Sequence, residues 1–379
     1  LSGGASATSE ELIVSFDKMN SILEFDENSN TVLCQPGLIT QNLQAFADDN
    51  NLYYPVDFSS AGSSQVGGNI ATNAGGIRVL KYGSTSRYVE GLEVITGDAS
   101  YFCMDDMLVK NATGPNLKNL FIGSEGIFGL TVSSRMKLIN KPLDTSVVLI
   151  GFDDISSLDK ISNSIFEYDI EAVEFFTFNS LTKVQEAFDQ VEVGHLKNNY
   201  YLIVELYDQK GFTNFLEKIY TDNLAQEIIV STNSAQKKSI WQYRLLISES
   251  ITRSRPIKLD IAVPLKNITK LIEKLELFFK DKKSYDLVLF GHIGDGNLHV
   301  NILTKSKDPK LEQKMLVENE IYTIVRDLKG TFSAEHGIGL NKVKTFMDRA
   351  DKLKIETLKN LKKHFDKNGI LNPGKLIEK

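Results

Sequence analysis

The sequence predicts an α+β fold, and three observations lead to this class. Residues 143–290 alternate runs of β-branched and aromatic residues with helical patterns. Residues 55–84 are rich in glycine and small polar residues, which is typical of a loop that approaches another group closely. Residues 342–369 repeat apolar residues at helical spacing. Sheets with helices packed on one face fit this arrangement.

The composition is ordinary for a globular protein and limits the class of partner. The chain has 379 residues, enough for two or three domains, with 42% hydrophobic and 24% charged residues. A net charge of −6 gives no general attraction to nucleic acid, and no apolar run is long enough to cross a bilayer. Cys34 and Cys103 are too few for a disulfide framework or a cysteine metal cluster. We interpret both as unreactive thiols in a reducing compartment.

In the first part of the chain, the pattern predicts short strands and one clear helix. Residues 11–36 contain β-like runs separated by turns, and residues 37–51 predict an amphipathic helix. Residues 91–104 read as a hairpin, and residues 116–139 as a helix followed by a strand. The pattern changes near Lys141, which suggests a boundary there.

The second part predicts a sheet that is covered on one face. Strands are expected at residues 146–152, 172–178, 200–207, 257–264 and 287–293, with the strongest helix at 266–281. The tail is expected to be helical, with Gly369 as its C-cap and Asn372 to Gly374 stopping the chain. We therefore expect domains at residues 1–141 and 142–329 and a C-terminal helical segment at 330–379.

Two of the five histidines lie in the stretch FGHIGDGNLHVN, residues 290–301. Asp-Gly between apolar runs favours a two-residue type I′ turn, which would pair His292 with His299 across two strands. Their Cβ atoms would then lie about 5 Å apart, close enough for both imidazoles to bind one metal ion. Asn301 would share the face of His299. Two structural histidines are the alternative.

A second cluster, GTFSAEHGIGLNK, contains Glu335 and His336. Neighbouring side chains diverge in an extended chain, so one could bind a metal ion while the other faces a substrate. A surface Glu-His pair is the alternative. The metalloprotease signature H-E-x-x-H is absent from the sequence.

The glycine-rich segment carries neither of the two common nucleotide signatures, G-x-x-x-x-G-K-[ST] and G-x-G-x-x-G. A series of tight turns is one interpretation. The density of glycine favours the other, a loop with many hydrogen-bond donors around a cofactor. The glycines are Gly62, Gly67, Gly68, Gly75 and Gly76, interleaved with Ser63, Ser64, Asn69, Thr72 and Asn73.

Three stretches also carry a resemblance to a known family: residues 55–83, residues 121–132 (FIGSEGIFGLTV) and residues 370–375 (ILNPGK). They resemble the FAD-binding half of vanillyl-alcohol-oxidase-type flavoproteins (the VAO/PCMH type), and within it the D-lactate, D-2-hydroxyglutarate and glycolate dehydrogenase group. The resemblance implies an FAD-binding domain, a ferredoxin-like α+β cap or substrate domain, and a helical C-terminal segment that closes the active site. The implied flavin contacts are Pro55, Ser63, Gly67, Gly68, Asn69, Thr72, Asn73, Gly75, Gly123, Glu125, Gly126 and Asn372. Because the first histidine is His195, we expect FAD to be bound non-covalently.

The two histidine clusters resemble the signatures G-H-x-G-D-G-N-x-H and E-H-G-x-G of the same group. This implies that His292, His299 and Glu335 bind a divalent metal, zinc or manganese. It also implies that His336 is the catalytic base and that Asn301 contacts the substrate together with His336. Upstream, WQYRLLISES and IKLDIAVP resemble two further segments, which implies substrate contacts for Arg244, Ser248 and Lys258. Ser248 stands where relatives often carry threonine.

The activity that the resemblance implies is oxidation of a D-2-hydroxy acid, such as D-lactate or D-2-hydroxyglutarate, to the 2-oxo acid, with hydride transfer to FAD. The expected partners are the small acid and an electron acceptor: an electron-transfer flavoprotein, a quinone or a cytochrome. We also expect a homodimer, located in the cytoplasm or, in a eukaryote, in the mitochondrial matrix.

One feature departs from the family pattern. The sequence begins at Leu1 with residues that resemble the piece just after the family's first pyrophosphate loop. The lobe with that loop would belong to a longer chain or another polypeptide, or flavin binding would be lost. A flavin-free metal-binding homologue or subunit of a larger dehydrogenase complex is therefore the competing hypothesis. A zinc hydrolase is a third, but it leaves the glycine-rich segment unexplained.

Overall fold

A computed structural model describes residues 2–8, 11–165, 167–191, 195–207, 209–304 and 311–378, with side chains left undescribed at 209–210 and 311–313. The chain divides into two compact units. The first unit comprises Leu1–Gly76, Tyr82–Pro142 and Glu335–Lys379, and the second comprises Ile77–Lys81 and Leu143–Ala334. No helix of the described residues is long and apolar enough to span a membrane.

The first unit is built on a five-stranded antiparallel sheet in the order β1-β2-β6-β4-β5, with a separate pair β3-β7. One face of α1 is buried through Thr40, Leu43 and Ala47, which recur at helical spacing. The elements up to residue 142 are β1 (Ile22–Asp26), β2 (Thr31–Cys34), α1 (Thr40–Asp49), β3 (Leu52–Tyr53), α2 (Val66–Thr72), α3 (Val79–Tyr82), β4 (Val89–Ile95), β5 (Tyr101–Cys103), β6 (Leu130–Lys137) and β7 (Ile139–Asn140).

Most of the elements predicted for this part are present, and two are not. The helix expected in 37–51 is α1, and the hairpin of 91–104 is β4-β5. The helix expected within 116–139 is wrong: a short 3-10 turn (Leu117–Leu120) precedes β6. Gly123, Glu125 and Gly126 all have positive φ there, which a right-handed helix does not allow. The β-like run at 11–16 is also not a strand: Leu12, Ile13 and Val14 are exposed, and Phe16 is half-buried.

The thiol of Cys34 lies in the core of the first unit, 3.5 Å from the Ser134 hydroxyl. Burial raises its pKa to about 11, so the thiol is protonated and unreactive at neutral pH. Cys103 is exposed and is not part of a disulfide.

The second unit is built on a seven-stranded antiparallel sheet in the order β11-β8-β10-β9-β13-β14-β12. Its elements are β8 (Ser146–Phe152), α4 (Ser156–Ile165), β9 (Ile170–Thr177), α5 (Phe178–Ala187), β10 (Tyr200–Leu206), α6 (Gln209–Thr221), β11 (Glu227–Val230), α7 (Ser234–Leu245), α8 (Ile247–Ser250), β12 (Ile257–Ala262), α9 (Ile268–Phe279), β13 (Tyr285–Gly291), β14 (Asn297–Thr304) and α10 (Leu311–Asp327).

All five strands and the strong helix predicted for this part are present, but the expectation of a half-covered sheet is wrong. Successive residues of β8 enter two different clusters: Val148 and Ile150 pack in one, Val147 and Leu149 in the other. Because successive strand residues point to opposite faces, both faces of the central strands are buried. The fully apolar runs of these strands reflect that double burial.

The C-terminal tail is helical, as predicted, in two pieces. They are α11 (Val343–Arg349) and α12 (Lys352–Phe365), and Asp351 caps α12 by accepting from the main-chain N–H groups of Leu353 and Lys354. The proposed C-cap is wrong: α12 ends at Phe365 with Asp366 as its C-cap, and Gly369 lies beyond it with φ +64°.

Candidate active site

The connection between β13 and β14 is longer than the sequence suggested. The strand register pairs Phe290 with His299, so His292 does not stand opposite His299. Residues 292–296 form a five-residue connection with a 3-10 turn (Ile293–Asp295), and Gly296 follows at φ +78°. The predicted two-residue Asp-Gly turn is therefore wrong.

Burial of the connection explains the difference. Ile293 is 1% exposed and packs in the main core cluster of the second unit. Because Ile293 packs in this core, the connection 292–296 runs toward the interior of the unit. A two-residue turn is too short to follow that path. A Cβ at Gly296 would lie 2.2 Å from the carbonyl oxygen of Val263, so this position requires glycine.

The two imidazoles are close nevertheless. The ring centroids of His292 and His299 lie 5.2 Å apart, and the rings are nearly perpendicular at 85°. Both side chains are largely buried. The juxtaposition expected from a tight hairpin thus arises from the inward connection.

Two buried carboxylates, neither of which was predicted, accompany these rings. Oε1 of Glu174 lies 2.6 Å from Nδ1 of His292, and Oδ1 of Asp260 lies 3.7 Å from Nδ1 of His299. A carboxylate beside Nδ1 favours the tautomer that carries its proton there and makes Nε2 the metal-binding nitrogen. The signal available in the sequence was an acidic residue inside each apolar strand, EAVEFF and KLDIA.

Glu174 also contacts the arginine that the resemblance identified. Arg244 projects from the buried face of α7, and its Nε lies 2.7 Å from Oε2 of Glu174. Its guanidinium carbon lies 4.6 Å from the centroid of the Phe290 ring. Because Nε faces Glu174, the two terminal nitrogens form the edge that can bind a carboxylate bidentately. Ser248 lies one turn further, in α8, and is partly exposed.

Strands β12 and β14 bring two more predicted residues together. Their register pairs Lys258 with Asn301 and Asp260 with His299. Asn301 is buried and shares the face of His299, two residues before it. Lys258 is exposed along much of its length, and partial burial of the ammonium lowers its pKa below the ordinary lysine value.

Glu335 and His336 follow directly on the last residue of the second unit. The N–H of Ala334 bonds to the main-chain oxygen of Asp260 at 3.3 Å and to its carboxylate at 3.2 Å. Asp260 is the partner of His299 in the sheet, so Ala334, the last residue of the second unit, is held beside that pair.

Within the first unit, the segment after Glu335 is held by two contacts. The Ser2 hydroxyl donates to the main-chain oxygens of His336 at 2.5 Å and Gly337 at 3.0 Å. The N–H groups of Ile338 and Gly339 donate to the two carboxylate oxygens of Glu125, at 2.7 and 2.6 Å. The main chain next to His336 is therefore fixed on one side by a charged acceptor.

Both side-chain oxygens of Glu125 accept hydrogen bonds in this way, and its main chain is hydrogen-bonded as well. Its N–H donates to Ala71 at 2.7 Å, and its carbonyl accepts from the Asn372 amide at 2.6 Å. Asn372 also donates to the Gly4 carbonyl, at 2.9 Å. Gly123 lies in the same loop and donates to Ile70 at 2.9 Å.

The glycines of the predicted flavin loop serve two different purposes. A Cβ at Gly67 would lie 2.6 Å from Cβ of Pro36, and one at Gly76 would lie 1.9 Å from the Asp57 oxygen, so these two allow close internal packing. A Cβ at Gly68 would meet no atom within 4 Å, and one at Gly126 would meet only Asn372, at 3.9 Å. Open space beside glycine is what a flat cofactor needs.

The other predicted flavin residues lie around α2. Asn69 donates to the Thr40 hydroxyl at 2.6 Å, and Asn73 ends the helix in the left-handed region, where it accepts from Ser84 and Ser86. The remaining four differ in burial: Pro55 is buried, Gly75 is partly buried, and Ser63 and Thr72 are exposed.

A cavity of about 380 Å³ adjoins this region. It is lined by Asn73, Ser86, Arg87, Asn119 and Ile122. Arg87 and Asn119 were not predicted, because isolated charged and amide residues give no sequence pattern.

Two family models match the chain. One, described as FAD linked oxidases, C-terminal domain, matches residues 141–376, and one described as FAD binding domain matches residues 1–103. The chain belongs to the FAD-linked oxidases. It is an FAD-dependent oxidoreductase, and the flavoprotein family that the motifs suggested is confirmed.

Relatives of this FAD-linked oxidase extend along its whole length. It is 38% identical to D-2-hydroxyglutarate dehydrogenase of Stutzerimonas stutzeri (strain A1501), over 100% of this chain and 83% of the relative. The mitochondrial D-2-hydroxyglutarate dehydrogenase of Danio rerio is 30% identical, over 100% of this chain and 72% of the relative.

Solved structures confirm the fold class. The 4-ethylphenol oxidase from Gulosibacter chungangensis matches with a TM-score of 0.71 at 17% identity, covering 99% of this chain and 83% of that one. The p-cresol methylhydroxylase structure matches with a TM-score of 0.70 at 15% identity, covering 96% and 79%. These two likenesses concern the fold only.

Proposed function

We propose that this protein oxidises a D-2-hydroxy acid to the corresponding 2-oxo acid, with D-2-hydroxyglutarate as the first substrate to test. The observation that carries the proposal is the cluster in the second unit, where Glu174 contacts both Arg244 and His292. It combines a carboxylate-binding cation with metal-binding imidazoles, and a 2-hydroxy acid presents the matching carboxylate and hydroxyl. The relatives named D-2-hydroxyglutarate dehydrogenase support the choice of substrate.

The substrate would be held by residues of the second unit. The terminal nitrogens of Arg244 and the ammonium of Lys258 bind carboxylate oxygens, and the amides and hydroxyls of Asn301 and Ser248 orient the acid. In this proposal His336 accepts the hydroxyl proton, a task that suits an imidazole because it titrates near neutrality. Removing that proton while C2 loses a hydride gives the 2-oxo acid.

His292, His299 and Glu335 are the proposed ligands of a divalent metal, zinc or manganese. Two imidazoles and a carboxylate are ligand types that suit either ion, and the carboxylates beside both Nδ1 atoms match the surroundings of metal-bound histidines. When bound, such an ion supplies a Lewis acid that lowers the pKa of the substrate hydroxyl. The chain's part is to hold the ligands and to prevent their rotation.

FAD is proposed to bind non-covalently in the first unit. When bound, it supplies the two-electron acceptor that protein side chains lack. The open space at Gly68 and Gly126 and the cavity lined by Asn73 and Arg87 support this placement. The proposed contacts are Pro55, Ser63, Gly67, Gly68, Asn69, Thr72, Asn73, Gly75, Gly123, Glu125, Gly126 and Asn372.

We further propose three functional regions: flavin binding at 1–141, substrate binding at 142–329 and a closing segment at 330–379. The reduced flavin would pass electrons to an electron-transfer flavoprotein, a quinone or a cytochrome, and a homodimer is proposed as the assembly. The location would be the cytoplasm or, in a eukaryote, the mitochondrial matrix, as the names of the Danio rerio and Arabidopsis thaliana relatives suggest.

The test is anaerobic reduction of the bound flavin by D-2-hydroxyglutarate, D-lactate and their L-isomers. We expect the flavin absorbance to bleach with a D-acid only. Colourless protein that fails to take up added FAD would contradict the proposal and favour the flavin-free metal-binding alternative.

His336→Ala addresses the proposed base. We expect it to lower the rate of flavin reduction by about 10²–10⁴-fold, the usual contribution of general base catalysis, with flavin and metal content unchanged. The exposed His364 in α12 provides the matched control, and His364→Ala should reduce flavin at the wild-type rate. Normal reduction by His336→Ala would refute the assignment.

A further inference from the structure

Glu174 is a buried carboxylate of this site that binds neither metal nor substrate in the proposed function. It lies in the middle of β9, and its side chain is completely buried. A carboxylate in such surroundings is costly unless both oxygens face cations or strong donors. The structure provides one partner for each oxygen: His292 for Oε1, at 2.6 Å, and Arg244 for Oε2, at 2.7 Å.

We propose that Glu174 is a positioning residue that orients the metal ligand His292 and the carboxylate-binding Arg244 together. The inference rests on the proposed function, in which these two residues bind the metal and the substrate. Through Oε1 it fixes the imidazole as the Nδ1–H tautomer with Nε2 as the ligand atom. Oε2 lies 2.7 Å from Nε of the guanidinium, an ion pair without a hydrogen bond, and this attraction restrains the position of Arg244.

The geometry favours this role over a merely structural ion pair. Arg244 alone would neutralise the carboxylate, yet Oε1 is directed at a ring that is itself beside the second histidine, with centroids 5.2 Å apart. Phe290 adds a restraint, since its ring lies 4.6 Å from the guanidinium carbon and 5.0 Å from the His299 ring. A single carboxylate therefore links the orientation of two functional side chains.

Glu174→Gln makes it impossible to keep both contacts at once. An amide has one acceptor and one donating end. If the donating end faces Nδ1, the histidine must accept there and carry its proton on Nε2, which then cannot bind metal. If that end faces Nε of Arg244, two donors meet and the guanidinium shifts. Either orientation disrupts one of the two functions.

A matched control lies on the same strand. Glu171 is 1% exposed and pairs with Arg78 at 2.5 Å, in the same kind of buried acid–arginine contact. Its arginine partner is Arg78, whereas the arginine partner of Glu174 is Arg244. Glu171→Gln should therefore cost stability without changing metal affinity or the KM for the acid.

The experiment measures the affinity of the metal-stripped full chain for Zn²⁺ and Mn²⁺ by competition with a chelator. We expect Glu174→Gln to weaken metal binding by about 10–100-fold, the range usual for partners that orient a metal-bound histidine. The visible spectrum of the Co²⁺-loaded protein should change as well, and the KM for the acid should rise. Glu171→Gln should keep the wild-type values.

A double variant guards against loss of folding. Glu174→Gln leaves Arg244 as a buried cation, which is destabilising, and Arg244→Met removes that charge. The double variant Glu174→Leu, Arg244→Met has no acceptor for Nδ1 of His292, so it should fold and still show the weakened metal binding. Wild-type metal affinity in this double variant, or wild-type metal affinity together with a wild-type KM in Glu174→Gln, overturns the inference. A wild-type chain that binds neither ion would instead refute the proposed metal site, and this inference with it.

Discussion

Lys258 shows how one residue's surroundings set the pH range of the proposed reaction. Partial burial lowers its pKa from the ordinary value of 10.5, because an ammonium loses hydration there. The protonated form is the one that attracts a carboxylate. Affinity for the acid should therefore be full below this lowered pKa and be lost as the pH rises through it.

This leads to a prediction about pH dependence. In the wild type, the KM for the D-2-hydroxy acid should rise at a lower pH than an unperturbed lysine would produce. Lys258→Arg keeps its charge at all accessible pH values, so its KM should stay flat over the same range. Flavin reduction measured from about pH 7 to pH 10.5 checks this. The same rise in both proteins would exclude Lys258 as the titrating group.

At the scale of single residues, the sequence predicted the two histidines but not the buried carboxylates beside them. Two histidines around Asp-Gly form a local pattern, whereas the assignment of Arg244 and Lys258 depended on resemblance. Glu174 lies 118 residues before His292, and their contact depends on pairing between β9 and β13. No local pattern carries such information.

Among the elements, α2 has a sequence that the fold alone explains only in part. A seven-residue helix with two adjacent glycines is a poor helix former, since each glycine costs about 1 kcal/mol relative to alanine. Gly67 is required by the closeness of Pro36, but no protein atom would oppose a Cβ at Gly68. Internal packing therefore does not require glycine at position 68.

Gly68→Ala tests that reasoning. We expect it to raise the stability of the FAD-free protein by up to about 1 kcal/mol through helix propensity, and to weaken FAD binding by filling the open space. Thermal unfolding and flavin titration measure the two effects. Gly67→Ala provides the contrast, because its Cβ would clash with Pro36 and lower stability. Unchanged FAD affinity in Gly68→Ala would show that α2 does not pack on the flavin at this position.

Most strands and helices with strong periodicity were predictable, and two of the failures concerned turns. The helix expected before β6 gave way to a loop with three positive φ values, and the Asp-Gly hairpin gave way to an inward connection. In both cases tertiary burial overrode a local preference: Ile293 belongs to the core, and Glu125 is bound by distant N–H groups.

On the scale of the whole molecule, the first unit is held together by contacts between distant segments of the chain. Glu125 binds Ile338 and Gly339 across 213 and 214 positions, and Asn372 reaches Gly4 across 368. Such contacts can be seen only in the folded chain. They decide whether the segment with the proposed base His336 is ordered.

Glu125→Gln should loosen that segment. One end of the amide would face an N–H group as a donor, so one charge-assisted hydrogen bond is lost, which typically costs about 1.5–3 kcal/mol. Hydrogen exchange in peptides covering residues 336–341 should become faster, and the melting temperature should fall. Glu93→Gln is a control in the same unit, since Glu93 accepts from Ser133 instead. Unaltered exchange after Glu125→Gln would contradict the role of this carboxylate.

The division of the chain also has a consequence for its synthesis on the ribosome. The second unit is complete once Ala334 has been translated, whereas the first unit still awaits Glu335–Lys379. Domains generally fold as units during synthesis, so the second unit should mature before the first. Until Ile338 and Gly339 are in place, the Glu125 carboxylate lacks the two N–H groups that it binds in the folded protein. The first unit should therefore stay incomplete while the second is already folded.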